Sequence, residues 1–205
     1  MRRAFFLAVL MPVFCATDVI AKEQSIGIYT GFGDADTTYL EPVSTENNGY
    51  SKPLWQIDYI RRSSKYAFGY GICAGRVPFK VPSGGGVNGQ YQYADALIGF
   101  FSEPDVRLGA HMYIANGFAR NEVHYVSRNC KPNKSTSTHS KVAVGLDINF
   151  IKTPVGPLTL VFELGSTDSS VKTETGHTSK SSFSLHGTQV MYGIRYWFGK
   201  EFRKK

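Results

Sequence analysis

Residues Lys141–Ile151, KVAVGLDINFI, alternate without a break. Val142, Val144, Leu146, Ile148 and Phe150 fall on one side, and Ala143, Gly145, Asp147 and Asn149 on the other. Side chains two apart share a face only in an extended strand, so this segment reads as a strand with one apolar face and one small or polar face. Pro157–Gly165 repeats the pattern, with Leu158, Leu160, Phe162 and Leu164 opposing Thr159, Val161, Glu163 and Gly165. Gly187–Phe198 repeats it again, with Val190, Tyr192, Ile194, Tyr196 and Phe198 opposing Gln189, Met191, Gly193, Arg195 and Trp197.

The first half carries the same signal around Ile26–Phe32, Trp55–Tyr59, Tyr66–Cys73, Tyr93–Phe100 and Val106–Ile114. That makes eight strands, each near the roughly 9–11 residues a tilted strand needs to cross a bilayer. Short hairpin turns join them at Arg62–Ser64, Ser102–Asp105 and Lys152–Gly156. The other four connections, Gly33–Lys52, Ala74–Gly89, Ala119–Ser140 and Ser166–His186, are long and rich in Ser, Thr, Asn, Gly and Lys. Short turns on one side and long loops on the other predict an all-β, eight-stranded, antiparallel up-and-down transmembrane barrel with both termini in the periplasm. Tyr59, Tyr66, Phe100, Phe101, Phe150, Tyr196, Trp197 and Phe198 gather near the periplasmic ends and read as an interfacial aromatic girdle.

Eight-stranded barrels also exist in water, with the apolar face inward. The character of the polar face decides between the two. In this reading it carries nine glycines (Gly27, Gly31, Gly69, Gly71, Gly99, Gly109, Gly145, Gly165, Gly193) and no lysine. A solvated exterior carries mixed Lys and Glu, whereas small residues with a few charges suit a narrow, filled interior. The interior is expected to hold Asp58, Asp95, Asp147 and Glu163 with Arg107, Arg195 and His111. Buried charges are costly unless paired, so these should form a network that plugs the barrel. A narrow conducting channel is the lesser alternative.

The ends and the charge fit export. Met1-Arg2-Arg3 followed by an apolar run to Phe14 and by Val19-Ile20-Ala21 reads as a signal peptide, 1–21, cleaved after Ala21. The barrel then occupies 22–198 and a basic periplasmic tail 199–205. Phe14 stands where a lipoprotein signal before Cys15 requires a small residue. The oxidising compartment permits a disulfide between Cys73 and Cys130, and two unpaired thiols are the equal alternative. The formal charge is +7, but no helix carries a basic face, so nucleic acid is not expected. Arg120, Arg128, Lys131 and Lys134 make the third long loop basic. That loop is either simply solvated or attracted to anionic lipopolysaccharide or host glycans.

The last strand, Gly193-Ile194-Arg195-Tyr196-Trp197-Phe198, resembles the C-terminal assembly signal of bacterial outer-membrane barrels, with Gly193, Tyr196 and Phe198 in the matching places. Seven residues follow where that signal usually ends the chain, and Met191 stands where a polar residue is commoner. The whole layout resembles the small barrels of the OmpX/Ail, opacity-protein and OmpA-transmembrane type. That resemblance implies the outer membrane of a Gram-negative bacterium, contact with lipopolysaccharide, insertion by the barrel-assembly machinery, a monomer, and loops used for adhesion or host-surface interaction.

Chemistry is weakly signalled. The eight-stranded lipid A deacylase family carries a His-x-Ser motif, but His124 and Ser127 have the wrong spacing and His139-Ser140 is adjacent. His111 with Glu163 faces the interior, away from lipid. There is no Gly-x-Ser-x-Gly, phosphate-binding glycine loop or Cys-x-x-Cys. His124, Cys130 and His139 match no established metal spacing. Neither catalysis nor a cofactor or metal is expected, and a lipid A-modifying hydrolase is kept as the competing function.

Overall fold

In the computed structural model, which describes residues 23–39, 48–49, 54–63, 67–81, 87–125, 133–174 and 180–199, the alternating segments pair edge to edge and close on themselves. The eight barrel strands are β1 Glu23–Tyr39, β2 Leu54–Arg62, β3 Phe68–Val81, β4 Val87–Phe101, β5 Leu108–Tyr125, β6 Asn133–Lys152, β7 Pro157–Glu174 and β8 Lys180–Gly199. A two-residue segment, Asn48–Gly49, extends the sheet beside Asp34 and Ala35 of β1. Each barrel strand pairs antiparallel with the next, and β8 returns to β1 from Glu23↔Gly199 to Tyr39↔Phe183. The expected signal peptide and residues 200–205 lie outside the described residues.

Closure requires stagger, and the register gives it. From Gly27 the ladder leads through Asp58, Cys73, Asp95, Gly117, His139, Ser169 and Leu185, and it re-enters β1 at Thr37, ten residues beyond the start. Eight strands with that stagger are steeply tilted and enclose only enough space for side chains.

The burial is inverted relative to a water-soluble protein. Leu108 is 65% exposed, Ile28 60% and Ile114 57%, while Arg195, Lys141, Glu163 and Asp58 are buried. A continuous apolar exterior of this kind would associate in water, so the medium around it is lipid. Parity also corrects the aromatic girdle. Phe101 and Trp197 are buried inside, because each is adjacent in sequence to an outward ring (Phe100; Tyr196 and Phe198) and must face the other way. Tyr66 lies outside the described residues.

The strands run further than the alternation suggested. β7 and β8 stay paired out to Glu174↔Lys180, β5 and β6 to Val123↔Asn133, and β3 and β4 to Val81↔Val87. Residues 166–174 and 180–186, expected as loop, are therefore strand. The barrel has two unlike ends: a turn end with tight connections, and a rim end where the strands continue beyond the apolar belt.

Candidate functional site

The inward positions of the eight strands converge on one network. Arg195 of β8 sits between Asp147 (Nη1–Oδ1 3.2 Å) and Asp58 (Nη2–Oδ2 3.3 Å), and its Nε donates to the Tyr29 hydroxyl at 3.0 Å. Tyr29 in turn donates to Asp58 at 2.7 Å. His111 bridges Asp147 at 3.0 Å and Glu163 at 3.4 Å. Glu163 also accepts from Lys141 at 2.6 Å and from the Tyr113 hydroxyl at 2.9 Å. Lys141 reaches Gln56 at 2.7 Å, and Gln56 accepts from Tyr93 at 2.7 Å. Aromatic rings insulate these charges: the His111, Phe101 and Tyr113 rings are near-parallel with all three centroids 5.9–6.3 Å apart, and the Arg195 guanidinium stands 5.4–5.8 Å from the rings of Phe101, Tyr29 and Trp197.

Five of the seven expected network residues, Asp58, His111, Asp147, Glu163 and Arg195, are joined in this one cluster. Asp95 is inside but separate; its partner is His139 at 2.6 Å, whose ring stacks on Tyr93 at 4.4 Å. Arg107 is not in the lumen. It precedes β5 in a turn that folds onto β6, where the Asn149 side chain donates to the Pro104 and Val106 carbonyls and the Asn149 amide donates to Arg107 O at 3.0 Å. Those bonds take Arg107 out of the ladder, and its side chain is exposed.

Lys141 and His139 are the main additions. Both share the parity of Ala143, so the alternation itself points them inward, and the expectation of a lysine-free interior is corrected by Lys141. A second pair closes the turn end: Arg62 meets Glu23 at 2.5 Å and donates to Phe101 O at 2.7 Å. Toward the rim the lumen turns neutral, with Asn121, Ser137 and Ser169 linked at 3.0 Å.

Cys73 is a free, buried thiol, as in the unpaired one of the two alternatives. It faces the lumen at the level of Asp58 and Asp95, and Gly117 on that same row is eight residues short of the β5 terminus at Tyr125. Cys130, Arg128 and Lys131 lie outside the described residues. Arg120 is exposed on β5, and Lys134 on β6 stands 3.7 Å from Glu122. Gly193, Tyr196 and Phe198 lie on β8, the latter two rings stacked at 6.2 Å.

Among the described residues no Ser or Thr hydroxyl is hydrogen-bonded to His111 or His139, and no three His, Cys, Asp or Glu side chains are grouped to hold a metal ion. The network can therefore brace and plug; it has no nucleophile–base pair of the kind acyl transfer requires.

No protein-family model and no curated protein sequence matches the chain. Solved structures do resemble it. Neisserial surface protein A aligns over 84% of this chain and 96% of its own at 10% identity, with a TM-score of 0.58. The attachment invasion locus protein Ail of Yersinia pestis aligns over 85% and 99% at 12% identity with a TM-score of 0.45, and the Escherichia coli outer-membrane protease OmpT over 86% and 97% at 9% with 0.43. Together with the apolar exterior, the likeness to neisserial surface protein A makes this fold that of a small outer-membrane barrel.

Proposed function

We propose that this chain is a non-catalytic surface barrel whose rim end faces the cell exterior and carries adhesive or host-surface binding. The observation that carries the reading is the contrast between the two halves. The membrane-level lumen is closed by fully buried side chains, including Trp197, Arg62, Arg195, Tyr29, Tyr113 and Phe101. Beyond it, the strands extend past the apolar belt and stay paired out to Val81↔Val87, Val123↔Asn133 and Glu174↔Lys180. A rigid scaffold with displayed ends is the usual carrier of recognition. In this proposal residues 1–21 are the cleaved signal, 199–205 the periplasmic tail, and Gly193, Tyr196 and Phe198 part of the signal read during assembly. The basic side chains Arg120, Arg128, Lys131 and Lys134 bias the rim toward anionic partners.

The test is binding of cells displaying the barrel to immobilised sulfated glycans and to host-cell monolayers, against the same cells lacking it. Enhanced adhesion that is lost when residues 126–132 and 175–179 are replaced by Gly-Ser supports the reading. Unchanged adhesion, or altered acylation of lipid A in mass spectra of the producing strain, overturns it.

A further inference from the structure

One ladder row climbs the outer wall from the rim edge of the apolar belt toward the rim: Trp55, Arg76, Gln92, Arg120 and Thr136 on β2 to β6. All five side chains are exposed and point outward. Arg76 and Arg120 are two strands apart, so about 10 Å separates their backbones, and Gln92 stands between them. Neither arginine has an ion pair among the described residues. By contrast, the next basic residue toward the rim, Lys134, is engaged with Glu122, which also accepts from Gln90 at 3.0 Å.

Directly below the row, on the belt side, the wall is low. Ala74, Ala94 and Ala96 are neighbours on β3 and β4, each outward and each contributing only a methyl group, while Ile72, Phe118 and Trp55 stand around them. Two guanidinium groups, neither ion-paired among the described residues, thus share one patch with an alanine shelf. A guanidinium presents a planar fork that fits phosphate oxygens, and at the boundary of a bilayer that interaction is less screened than in bulk water.

We infer that the Arg76–Gln92–Arg120 row is a binding site for one lipid whose headgroup carries two phosphates, with an acyl chain lying on the Ala74–Ala94–Ala96 shelf. The two cations match two anionic groups on one headgroup, and the shelf matches the hydrocarbon that such a headgroup brings with it. The inference rests on the proposed orientation, which puts the rim edge of the belt in the outer leaflet.

Purified full-length barrels are incorporated into phosphatidylcholine nanodiscs doped with bisphosphorylated lipid A, washed, and the lipid A retained per barrel is measured by mass spectrometry. Wild type should retain a stoichiometric lipid, and R76Q/R120Q about tenfold less or lower still. K152Q, exposed at the opposite turn end, should behave as wild type, and A94F, which fills the shelf but keeps both charges, should also lose the lipid. Heat-modifiable gel migration establishes that each variant is a closed barrel. Equal retention by wild type and R76Q/R120Q, full retention by A94F, or displacement of the lipid by inorganic phosphate or a soluble sulfated glycan overturns the inference. Adhesion no greater with the wild-type barrel than without it, with lipid retention intact, would sink the adhesive function and leave this site standing.

Discussion

Arg195 meets two carboxylates, one phenol hydroxyl and three aromatic rings in the lumen. Replacing one member of a buried ion cluster leaves its partners charged and unpaired, which typically costs about 3–5 kcal/mol. Arg195→Leu should therefore lower the urea midpoint of the refolded barrel in lipid, and an unchanged midpoint would show that Asp58 and Asp147 are not held by it. Lys141 and Glu163 offer a sharper test. Lys141→Met alone strands Glu163 beside His111 and Tyr113, whereas Lys141→Met with Glu163→Gln removes both charges and keeps an acceptor for Tyr113. The double variant should be more stable than the single one, and additive losses would mean that the two do not interact. The carboxylates and Arg195 were legible in the sequence because each lies in the middle of a clean alternation. Lys141 was hidden at the boundary where apolar residues stop, although its parity with Ala143 was already visible. Arg107 misled for the opposite reason: it has inward parity, but the bonds from Asn149 pull it into a turn.

At the level of the strand, alternation is legible only where one face meets lipid. β7 shows it from Leu158 to Leu164 and then becomes Ser-Thr-Asp-Ser-Ser, although its ladder with β8 continues. Past the belt, polar side chains stand on both faces and the binary pattern vanishes, yet the backbone hydrogen bonds remain. Amide hydrogen exchange should thus find residues 166–172 and 182–186 protected, with protection comparable to ordered strand; exchange as fast as an unstructured peptide would restore the loop reading. Close packing between strands also discriminates among glycines. A Cβ on Gly193 would meet the Ile28 carbonyl oxygen at 2.2 Å and Tyr29 at 2.7 Å, fixed atoms on the neighbouring strand. On Gly165 the nearest atom would be Lys141 Cε at 3.0 Å, and the nearest backbone atom, the Val142 carbonyl oxygen, would be in ordinary contact at 3.4 Å. Gly193→Ala should cost about 1–3 kcal/mol and Gly165→Ala less, measured as shifts in the same urea transition; the reverse order would contradict the packing of β8 against β1.

For the molecule as a whole, closure and filling follow from one another. Eight strands staggered by ten residues leave an interior that side chains occupy, and the occupants form three successive obstructions along the axis. Arg62, Glu23 and Trp197 close the turn end. The Arg195–His111–Glu163–Lys141 cluster spans the middle. Tyr91, Tyr93, His139 and Asp95 lie toward the rim. Because the obstructions are bonded to strands on opposite sides of the barrel, an ion could pass only if several hydrogen bonds broke together. The wild-type barrel in a planar bilayer should therefore show no steady current under an applied voltage. Tyr29→Ala with Tyr113→Ala removes two of the largest buried side chains from the central obstruction while leaving every charge in place, and this variant should show brief openings. Steady conductance by the wild type would mean that the charged residues line a passage, and the lumen would then be the functional site instead of the rim.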